Sequence, residues 1–472
     1  MKGYAGLIAQ SDPIARWLDN GRRCVSRSIG LGTNKHRRIF WSAVGATWLK
    51  VSRPAANLLR HYAPSLRSEL QPTLHALYAW LARKQQKLFT LDDFSVQELE
   101  IEPAGRKPRL LVDVSTTYHM SNVTGIQRTV RALTAALQRN SSHYAFDVLP
   151  VCLKRTPDAK LVLTAVPRFP SRDREQIMTL RPGDSFFMLD SSWDIYPKWA
   201  ASLFPVVRNL GGMIFTCVYD ILPITNPEYF TAETVAMFRP WMSSVMRESD
   251  VVFAISETTR SELDRYPCQH RPATEFFHLG ADSLPPRSVA GVKSMAPTFL
   301  MVGTIEPRKG HSTVLRAFQI LWSSDPAVRL ILVGRPGWKV STLMSEIQRL
   351  QGMNGSFFYY QNASDELLAK CYDEADAVIA ASLAEGFGLP LVETMQRGKA
   401  LIASDIPAFR EVAGEVPLYF KAGDHLSLVE AIRSFLSADS RPTAHDVARR
   451  SGWKAASIKV REFRWARDVG RA

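Results

Sequence analysis

The 472-residue sequence is poor in cysteine and lacks the spacings that put cysteines to structural use. Its five cysteines are odd in number and scattered, and no two of them form a CxxC pair. This distribution argues against a disulfide framework and against a structural zinc site. We therefore expect a protein of a reducing, cytosolic environment.

Long hydrophobic runs are also missing. The opening stretch from Met1 to Trp17 interrupts any apolar core early and predicts no signal peptide. The longest apolar stretch near the start, Ile39 to Val51, is too short to span a bilayer. There is no internal repeat and no low-complexity tract. A hydrophobic share of 46% predicts a globular protein with buried cores, at a length of about three domains.

Acidic residues are scarce at the start of the chain. Residues 1–90 contain 15 Lys and Arg but three acids, a net charge of +12 out of +14 for the whole chain. Aromatic and leucine residues alternate there with basic clusters, so residues 1–104 are predicted to be a basic helical extension. One interpretation is attachment to an anionic membrane surface, where each nearby basic residue contributes about 1 kcal/mol; the other is a helical cap on the protein body. The first predicts a cytoplasmic protein, peripheral on the inner face of the cell membrane. No nucleic-acid partner is expected, since no recognised module accompanies the charge.

The pattern becomes α/β from Arg109 onward. Short apolar runs separated by helical patterns, such as Gly125 to Leu137, predict parallel strands covered on both faces. The first set of strands ends near Asp282, which predicts a domain over residues 105–283. Its predicted strands are RLLVDVS, FDVLPV, DSFFMLD, GMIFTCVYD, VVFAIS and EFFHLG.

A second α/β series follows a polar, proline-rich linker at residues 284–297. It predicts a domain over residues 298–440 and a basic helical tail over residues 441–472. Two Rossmann-like, doubly wound domains of similar plan would face a cleft, which is a favoured ligand site. The predicted strands of the second domain are TFLMVG, RLILVG, SFFYY, AVIAAS, ALIASD and PLYF.

The segment VGTIEPRKGHS, from Val302 to Ser312, lies where a predicted strand ends and a helix begins. Ligands of doubly wound sheets bind outside the carboxyl ends of the strands. Gly303 permits a tight exit from the strand, and Arg308 with Lys309 precedes the helix start. Two cations at that positive end suit a diphosphate. A solvated basic turn is the alternative.

A second segment, AASLAEGFGLPLVETMQRG, places two glutamates around a glycine-rich loop. Pro390 suits the first helical turn, and Gly386 and Gly388 let backbone N–H groups approach a ligand closely. Glu393 is predicted in the first turn, pointing back towards the loop, where it could accept hydrogen bonds from a ribose diol or stabilise its own helix start. Glu385 on the loop could accept hydrogen bonds from sugar hydroxyls.

Together, SLAEGFGLPLVE and GTIEPRKG resemble the retaining GT-B glycosyltransferases of family 4, which includes many bacterial mannosyl- and rhamnosyltransferases. The resemblance covers roughly residues 109–436 and is strongest in the second domain. Three further segments match the family's loops. They are SDIPAFREVAG (Ser404 to Gly414), LVGRPGW (Leu332 to Trp338, with Gly334 at the strand end) and DVSTTYHMSNVTGIQR (Asp113 to Arg128).

The resemblance implies that a nucleoside-diphosphate sugar binds in the cleft. Arg308 and Lys309 would neutralise the departing diphosphate, Glu393 would hold the ribose and Glu385 the transferring sugar. The backbone amides after Glu385 would meet the sugar or the phosphate. The donor-binding residues would thus be Gly303, Arg308, Lys309, Gly334, Glu385, Gly386, Phe387, Gly388, Leu389 and Glu393.

The acceptor side departs from the family at one point, because this chain has Tyr219-Asp220 where members often carry His-Asp. A polar contact to the donor sugar is lost or replaced by Tyr219, and Asp220 either orients the acceptor or caps the next turn. Gly125 and Arg128 are expected at the cleft mouth, where Arg128 contacts phosphate or is a surface charge. Asp190, with Trp193, is a candidate for the acceptor pocket, although packing at the sheet edge explains Trp193 equally. His278 is expected to be a hinge residue.

The implied function is a retaining transferase that moves a hexose or deoxyhexose, with mannose or rhamnose favoured, to a saccharide or lipid-linked acceptor of a bacterial surface polysaccharide. The catalytic candidates are Glu385, Lys309, Arg308 and Asp220. We expect no cofactor and no metal, since no DxD occurs in the right context and the leaving phosphate can take the acceptor proton. A nucleotide-sugar 2-epimerase of the same fold and a catalytically silent sugar-binding scaffold subunit are the alternatives.

Overall fold

The computed structural model describes residues 105–438, apart from 121–123, 142–143, 156–160, 171–175, 192, 194–195, 281–284, 286–295 and 354. The predicted extension (1–104), the predicted tail (441–472) and most of the predicted linker lie outside the described residues. Within the described part, no helix is both long enough and apolar enough to cross a membrane.

The first half of the described chain is built on an eight-stranded sheet with the order β4-β3-β2-β1-β5-β6-β7-β8. Strands β1, β2 and β5 to β8 pair in parallel, whereas β3 and β4 are antiparallel additions at one edge. The strands are β1 (Arg109–Asp113), β2 (Asp147–Arg155), β3 (Leu161–Ala165), β4 (Gln176–Ile177), β5 (Ser185–Met188), β6 (Ile214–Val218), β7 (Val251–Ala254) and β8 (Ala273–Phe276).

Helices connect these strands. They are α1 (Ser115–His119), α2 (Gly125–Arg139), α3 (Tyr196–Asn209), α4 (Leu222–Thr225), α5 (Ala232–Glu248) and α6 (Glu257–Arg265), with a 3₁₀ turn at Pro227–Tyr229. Helix α2 begins with a capping box in which the side chains of Thr124 and Gln127 satisfy the first free backbone N–H groups.

The second half is an all-parallel, six-stranded sheet with the order β11-β10-β9-β12-β13-β14. The strands are β9 (Thr298–Val302), β10 (Arg329–Val333), β11 (Phe357–Tyr360), β12 (Ala377–Ala380), β13 (Ala400–Ser404) and β14 (Leu418–Phe420). The helices are α7 (His311–Ser324), α8 (Ser341–Met353), α9 (Asp365–Glu374), α10 (Leu389–Gln396), α11 (Pro407–Ala413) and α12 (His425–Ser437), with a 3₁₀ turn at Pro307–Lys309.

The strand order of the second sheet creates a topological switch point between β9 and β12. From this point the chain winds in one direction to β10 and β11 and in the other to β13 and β14. The loops that follow β9 and β12 therefore diverge and leave a crevice, which is where doubly wound sheets bind ligands. In the first sheet the corresponding point lies between β1 and β5.

The central strands are buried on both faces, as their continuous apolar sequences predict. Every residue of β1, β6 and β13 is buried. One apolar cluster contains residues of both halves, for example Leu110 and Phe253 of the first and Leu300 and Phe387 of the second. The two halves are thus packed against each other.

All twelve predicted strands are present, but the sequence analysis missed β3 and β4. Val151 to Arg155 of β2 pairs with Ala165 to Leu161 of β3 in antiparallel register. The first sheet is therefore mixed, whereas the sequence analysis predicted a parallel sheet. Strand β3 follows β2 directly along the chain and folds back on it as an antiparallel neighbour. Both sheets lie inside the predicted domain ranges 105–283 and 298–440, whose boundaries stay predictions.

Candidate active site

The loops after β9 and β12 touch each other at the switch point of the second sheet. The backbone N–H of Leu383 donates to the carbonyl of Arg308 at 2.7 Å. Gly310, with a left-handed φ of 72°, passes so close that a Cβ atom there would lie 2.0 Å from the Ala381 carbonyl oxygen. The close approach brings the Arg308-Lys309 pair alongside the loop that carries Glu385.

Glu385 is the centre of this cluster. Arg308 donates to its Oε2 at 2.6 Å, Lys309 donates to its Oε1, and the Ser382 hydroxyl donates at 2.8 Å. Burial alone would raise the pKa of this carboxyl, but Arg308 and Lys309 outweigh it and hold the pKa at about 2. Glu385 is therefore ionised at neutral pH, and the predicted grouping of these three residues is present in the structure.

Arg308 has a second carboxylate partner, Glu306, which the sequence analysis did not single out. The two side chains are 2.8 Å apart, and Glu306 is 2% exposed. Burial raises the pKa of Glu306, and Arg308 opposes that effect. Glu306 lies two positions before Arg308 in the predicted loop. This position was the only feature of the sequence that could have indicated its place in the cluster.

The loop that carries Glu385 is anchored on the first half. The Gly386 carbonyl accepts a hydrogen bond from the Ser256 hydroxyl at 2.6 Å, at the start of α6. A Cβ atom at Gly386 would lie 2.2 Å from the Tyr219 carbonyl oxygen and 3.0 Å from the Asp220 Cβ. Only glycine fits at position 386, and the contact places Asp220 beside the cluster.

Asp220 and Tyr219 follow β6 but differ in their surroundings. Burial raises the pKa of Asp220, and Arg308 is the strongest opposing charge. The Asp220 Oδ1 accepts the backbone N–H of Leu222 at 3.2 Å, which agrees with the alternative that Asp220 caps the next turn, and a role in orienting the acceptor stays a prediction. The Tyr219 hydroxyl instead donates to the Leu189 carbonyl at 2.9 Å, inside the first half. Since that hydroxyl is engaged away from Glu385, the structure does not support the idea that Tyr219 replaces the family histidine.

Glu393 does not lie in the first turn of its helix, contrary to the prediction. Gly388, with a left-handed φ of 106°, precedes the first helical residue Leu389, so Glu393 is the fifth residue of α10. The carboxylate is buried at 2% exposure and accepts from the Tyr372 hydroxyl at 2.5 Å. Arg128 of α2 lies 2.6 Å from its other oxygen. The expectation that Glu393 stabilises its own helix start is therefore wrong as well.

The remaining predicted donor residues have structural roles that their sequence did not reveal. Phe387 is buried, with its ring centroid 5.7 Å from that of His278. A Cβ atom at Gly334 would lie 1.8 Å from the carbonyl oxygen of Gly303, so this glycine is required by the close passage of two loops. Their contacts to a donor stay predictions.

On the acceptor side, Asp190 is buried and engaged. It accepts the backbone N–H of Thr117 at 2.5 Å and that of Ser191 at 2.8 Å, and so holds helix α1. Burial raises its pKa. Trp193 packs on Phe238 and Trp241, which agrees with the packing alternative. An acceptor role for Asp190 stays a prediction.

Gly125 lies where the two halves meet, since a Cβ atom on it would be 3.5 Å from the Leu389 Cδ1. Arg128, three residues later, forms its ion pair with the second half rather than being a surface charge.

Further polar contacts join the halves at two other places. Glu411 of α11 accepts the backbone N–H groups of Glu257 and Thr258, at 2.6 and 2.7 Å, and lies 2.7 Å from His278 Nε2. The Trp338 indole donates to the Tyr229 carbonyl at 2.7 Å. His278 thus lies at the junction, as predicted, and its role as a hinge stays a prediction. Glu411 was missed, because nothing local distinguishes it from a solvated helix residue.

Within residues 105–438 as described, no group of three or more His, Cys, Asp and Glu side chains could hold a metal ion. The positively charged groups at the switch point are the guanidinium of Arg308 and the ammonium of Lys309. They lie before the N-terminus of α7, whose free N–H groups and dipole also favour an anion.

Comparison with known proteins identifies the second half. A sequence family described as "Glycosyl transferases group 1" matches residues 287–451. This chain carries a group 1 glycosyltransferase domain. The predicted resemblance is confirmed by the serotype-specific mannosyltransferase WbdA of Escherichia coli, which is 30% identical over 369 residues, or 73% of this chain and 44% of that protein. The chain therefore spans less than half the length of this curated relative.

Solved structures establish the fold around this glycosyltransferase domain as GT-B. Sucrose-phosphate synthase from Thermosynechococcus elongatus has a TM-score of 0.58 at 17% identity, covering 77% of this chain and 100% of that one. Anabaena Alr3699/HepE in complex with UDP and glucose has a TM-score of 0.55 at 15% identity, covering 75% and 98%. The predicted plan of two Rossmann-like domains is thus confirmed.

Proposed function

We propose that this chain is a retaining glycosyltransferase that moves a hexose or deoxyhexose from a nucleoside-diphosphate sugar to a saccharide or lipid-linked acceptor. The single observation that carries the proposal is the cluster of Arg308, Lys309 and Glu385 at the switch point of the second sheet. It combines cations for a diphosphate with a carboxylate for sugar hydroxyls. The group 1 domain match supports the same conclusion.

The proposed chemistry is the transfer of an anomeric carbon. The bond from that carbon to the donor phosphate breaks, a bond to the acceptor oxygen forms on the same face, and the acceptor proton goes to the departing phosphate. Negative charge accumulates on the phosphate oxygens, where preorganised cations stabilise it. Arg308, Lys309 and the first N–H groups of α7 would supply that stabilisation, without a metal.

Glu385 would bind the transferring sugar through its hydroxyls, and Glu393 would bind the ribose. The structure offers Glu385 as an ionised acceptor, because its pKa is held at about 2. Asp220 lies beside the same cations and, through its raised pKa, is suited to keep or accept a proton near the acceptor.

The substrate class is inferred from the relatives. The printed names of WbdA and of O-antigen chain mannosyltransferase B, both of Escherichia coli, favour mannose as the sugar and a bacterial surface polysaccharide as the product. A lipid-linked acceptor would place the chain at the inner face of the cell membrane, where the basic residues 1–104 could bind anionic lipid.

The proposal is tested by incubating the protein with a panel of nucleotide sugars and a lipid-linked or saccharide acceptor. Glu385→Gln and Lys309→Ala should each lower the transfer rate at least about a hundredfold, because each removes a group that stabilises the transition state. Thermal unfolding should show that both variants remain folded. The nucleotide sugar that raises the melting temperature most identifies the donor.

Lys421→Ala is the matched control, because Lys421 is an exposed cation of the same half, 3.8 Å from Asp424. It should transfer sugar at the parental rate. Full activity of both site variants would overturn the proposal. Conversion of the donor without any acceptor would instead identify a 2-epimerase, and nucleotide binding without turnover would identify a silent scaffold subunit.

A further inference from the structure

Two partners from different parts of the molecule hold the carboxylate of Glu393. Tyr372 donates to Oε2 at 2.5 Å, and Arg128 Nη2 lies 2.6 Å from Oε1. The Glu393 side chain is 1% exposed. A carboxylate has about four lone-pair sites, but only those that a ligand can reach count. The residue expected to bind the ribose is thus enclosed by the protein itself.

The two partners of Glu393 belong to different halves of the molecule. Tyr372 belongs to α9 of the same half as Glu393 and is fully buried, with the Arg397 guanidinium 5.7 Å above its ring. Arg128 belongs to α2 of the other half, and its side chain is 19% exposed. A separation of the halves would therefore break the contact with Arg128 and preserve the contact with Tyr372.

The ion pair with Glu393 favours the charged form of Arg128. Burial by itself would lower the pKa of Arg128, but the charge and hydrogen bond of Glu393, together with the neighbouring Tyr372 and Asp365, raise that pKa. A buried carboxylate that loses its cation is left with an uncompensated charge, unless another hydrogen-bond donor replaces that cation. The two hydroxyls of a ribose diol are donors of this kind.

We propose that Arg128 is an internal competitor of the nucleotide for Glu393, whereas Tyr372 is the positioning residue that keeps Glu393 in place for the ribose. The inference rests on the proposed donor site. Opening of the halves exchanges Arg128 for the diol, and closure without nucleotide restores the ion pair. The apparent dissociation constant is then the intrinsic one divided by the fraction of molecules in which Glu393 is accessible.

The experiment measures binding of UDP, GDP and their 2′,3′-dideoxy analogues by calorimetry. Arg128→Met, which preserves the aliphatic part of the side chain, should tighten binding of whichever diphosphate the parent binds. If the ion pair is formed in nine molecules of ten, the gain is about tenfold. The dideoxy analogue should gain little, because it has no diol for Glu393. Tyr372→Phe should weaken binding of the diol form more than that of the dideoxy form.

Arg139→Met is the matched control, since Arg139 is an exposed residue at the end of the same helix. It should bind as the parent does. Weaker binding by Arg128→Met would identify Arg128 as a phosphate ligand and overturn the inference, as would unchanged binding or an equal gain for both analogues. If the parent binds neither diphosphate, the proposed function fails instead. The proposed function also fails if the parent binds a diphosphate but Glu385→Gln and Lys309→Ala are both fully active.

Discussion

Three buried or half-buried acids near one pair of cations differ in the direction of their pKa shifts. Glu385 has the direct contacts to Arg308 and Lys309, and its pKa falls to about 2. Burial raises the pKa of Glu306 and of Asp220, although Arg308 opposes it in both cases. Glu385 is contacted by both cations and by the Ser382 hydroxyl, whereas Glu306 is contacted by Arg308. Neighbouring carboxyls whose pKa values are shifted in opposite directions are the arrangement from which acid and base roles can be divided.

His311, next to this cluster, provides a pH prediction. Burial and, to a lesser extent, Lys309 lower its pKa from 6.5 to about 3. The unfolded chain therefore binds a proton that the folded chain does not, so stability falls as the pH decreases from 6.5 towards 3, by up to about 1.4 kcal/mol per pH unit. His311→Gln should lose less stability than the parent between pH 7 and pH 4.5 in urea unfolding.

The exposed His270 supplies the control for that measurement. His270→Gln should follow the parental pH dependence. If His311→Gln also follows it, the imidazole of His311 accepts a proton in the folded state, and its assignment as a neutral buried group is wrong.

At the scale of elements, the two helices that begin at the switch point both follow a left-handed glycine. Gly310 precedes α7 with a φ of 72°, and Gly388 precedes α10 with a φ of 106°. In each case the glycine turns the chain from the loop into a helix start. The close approach of Gly310 to Ala381 also brings the loops of Arg308 and Glu385 together, so helix initiation and site geometry both depend on this glycine.

Gly310→Ala should therefore destabilise the protein more than the same substitution at another glycine with a left-handed φ. The left-handed conformation costs roughly 1–2 kcal/mol, and a Cβ atom 2.0 Å from the Ala381 carbonyl oxygen forces the two loops apart in addition. Gly211 is the matched control, since its φ is 79° but nothing lies within 4 Å of its Cβ position. Equal losses of unfolding free energy in the two variants would contradict a steric role for Gly310.

At the scale of the whole molecule, the halves are joined by contacts that surround the site. Gly386 is held by Ser256, Glu393 by Arg128, and the start of α6 by Glu411. Each contact pairs one half with the other. The loop that carries Glu385 is consequently positioned by the first half as well as by its own sheet, so a change in the relative position of the halves would change the proposed donor site.

The uneven charge of the chain leads to a prediction at the same scale. Removal of residues 1–100 eliminates most of the net positive charge. It should lower the fraction of protein that sediments with vesicles containing anionic lipid, and high salt should lower the fraction bound by the full chain, since each basic residue near the surface contributes about 1 kcal/mol. Equal sedimentation of the full and shortened chains would contradict the membrane interpretation.

Much of the fold and part of the site could be predicted from local patterns. Continuous apolar runs located β1, β9 and β12 because both faces of a parallel sheet are buried. Strands β3 and β4 were missed because they are short antiparallel additions to a sheet that was expected to be parallel throughout. Arg308, Lys309 and Glu385 were predicted together, since strand ends of one sheet share an edge. Glu306, Ser256 and Tyr372 were not, because no spacing marks them.

The amino-acid sequence alone determined which segments become strands, where glycine must turn the chain, and which charged residues follow the strand ends. These features depend on local conformation and on the length and spacing of continuous apolar runs. The tertiary structure alone decided the partners of the buried charges: Glu393 meets Arg128 and Tyr372, and Glu411 meets the start of α6. The physical reason is that a desolvated charge must be matched by whatever group packing places against it, and packing joins residues far apart in the chain.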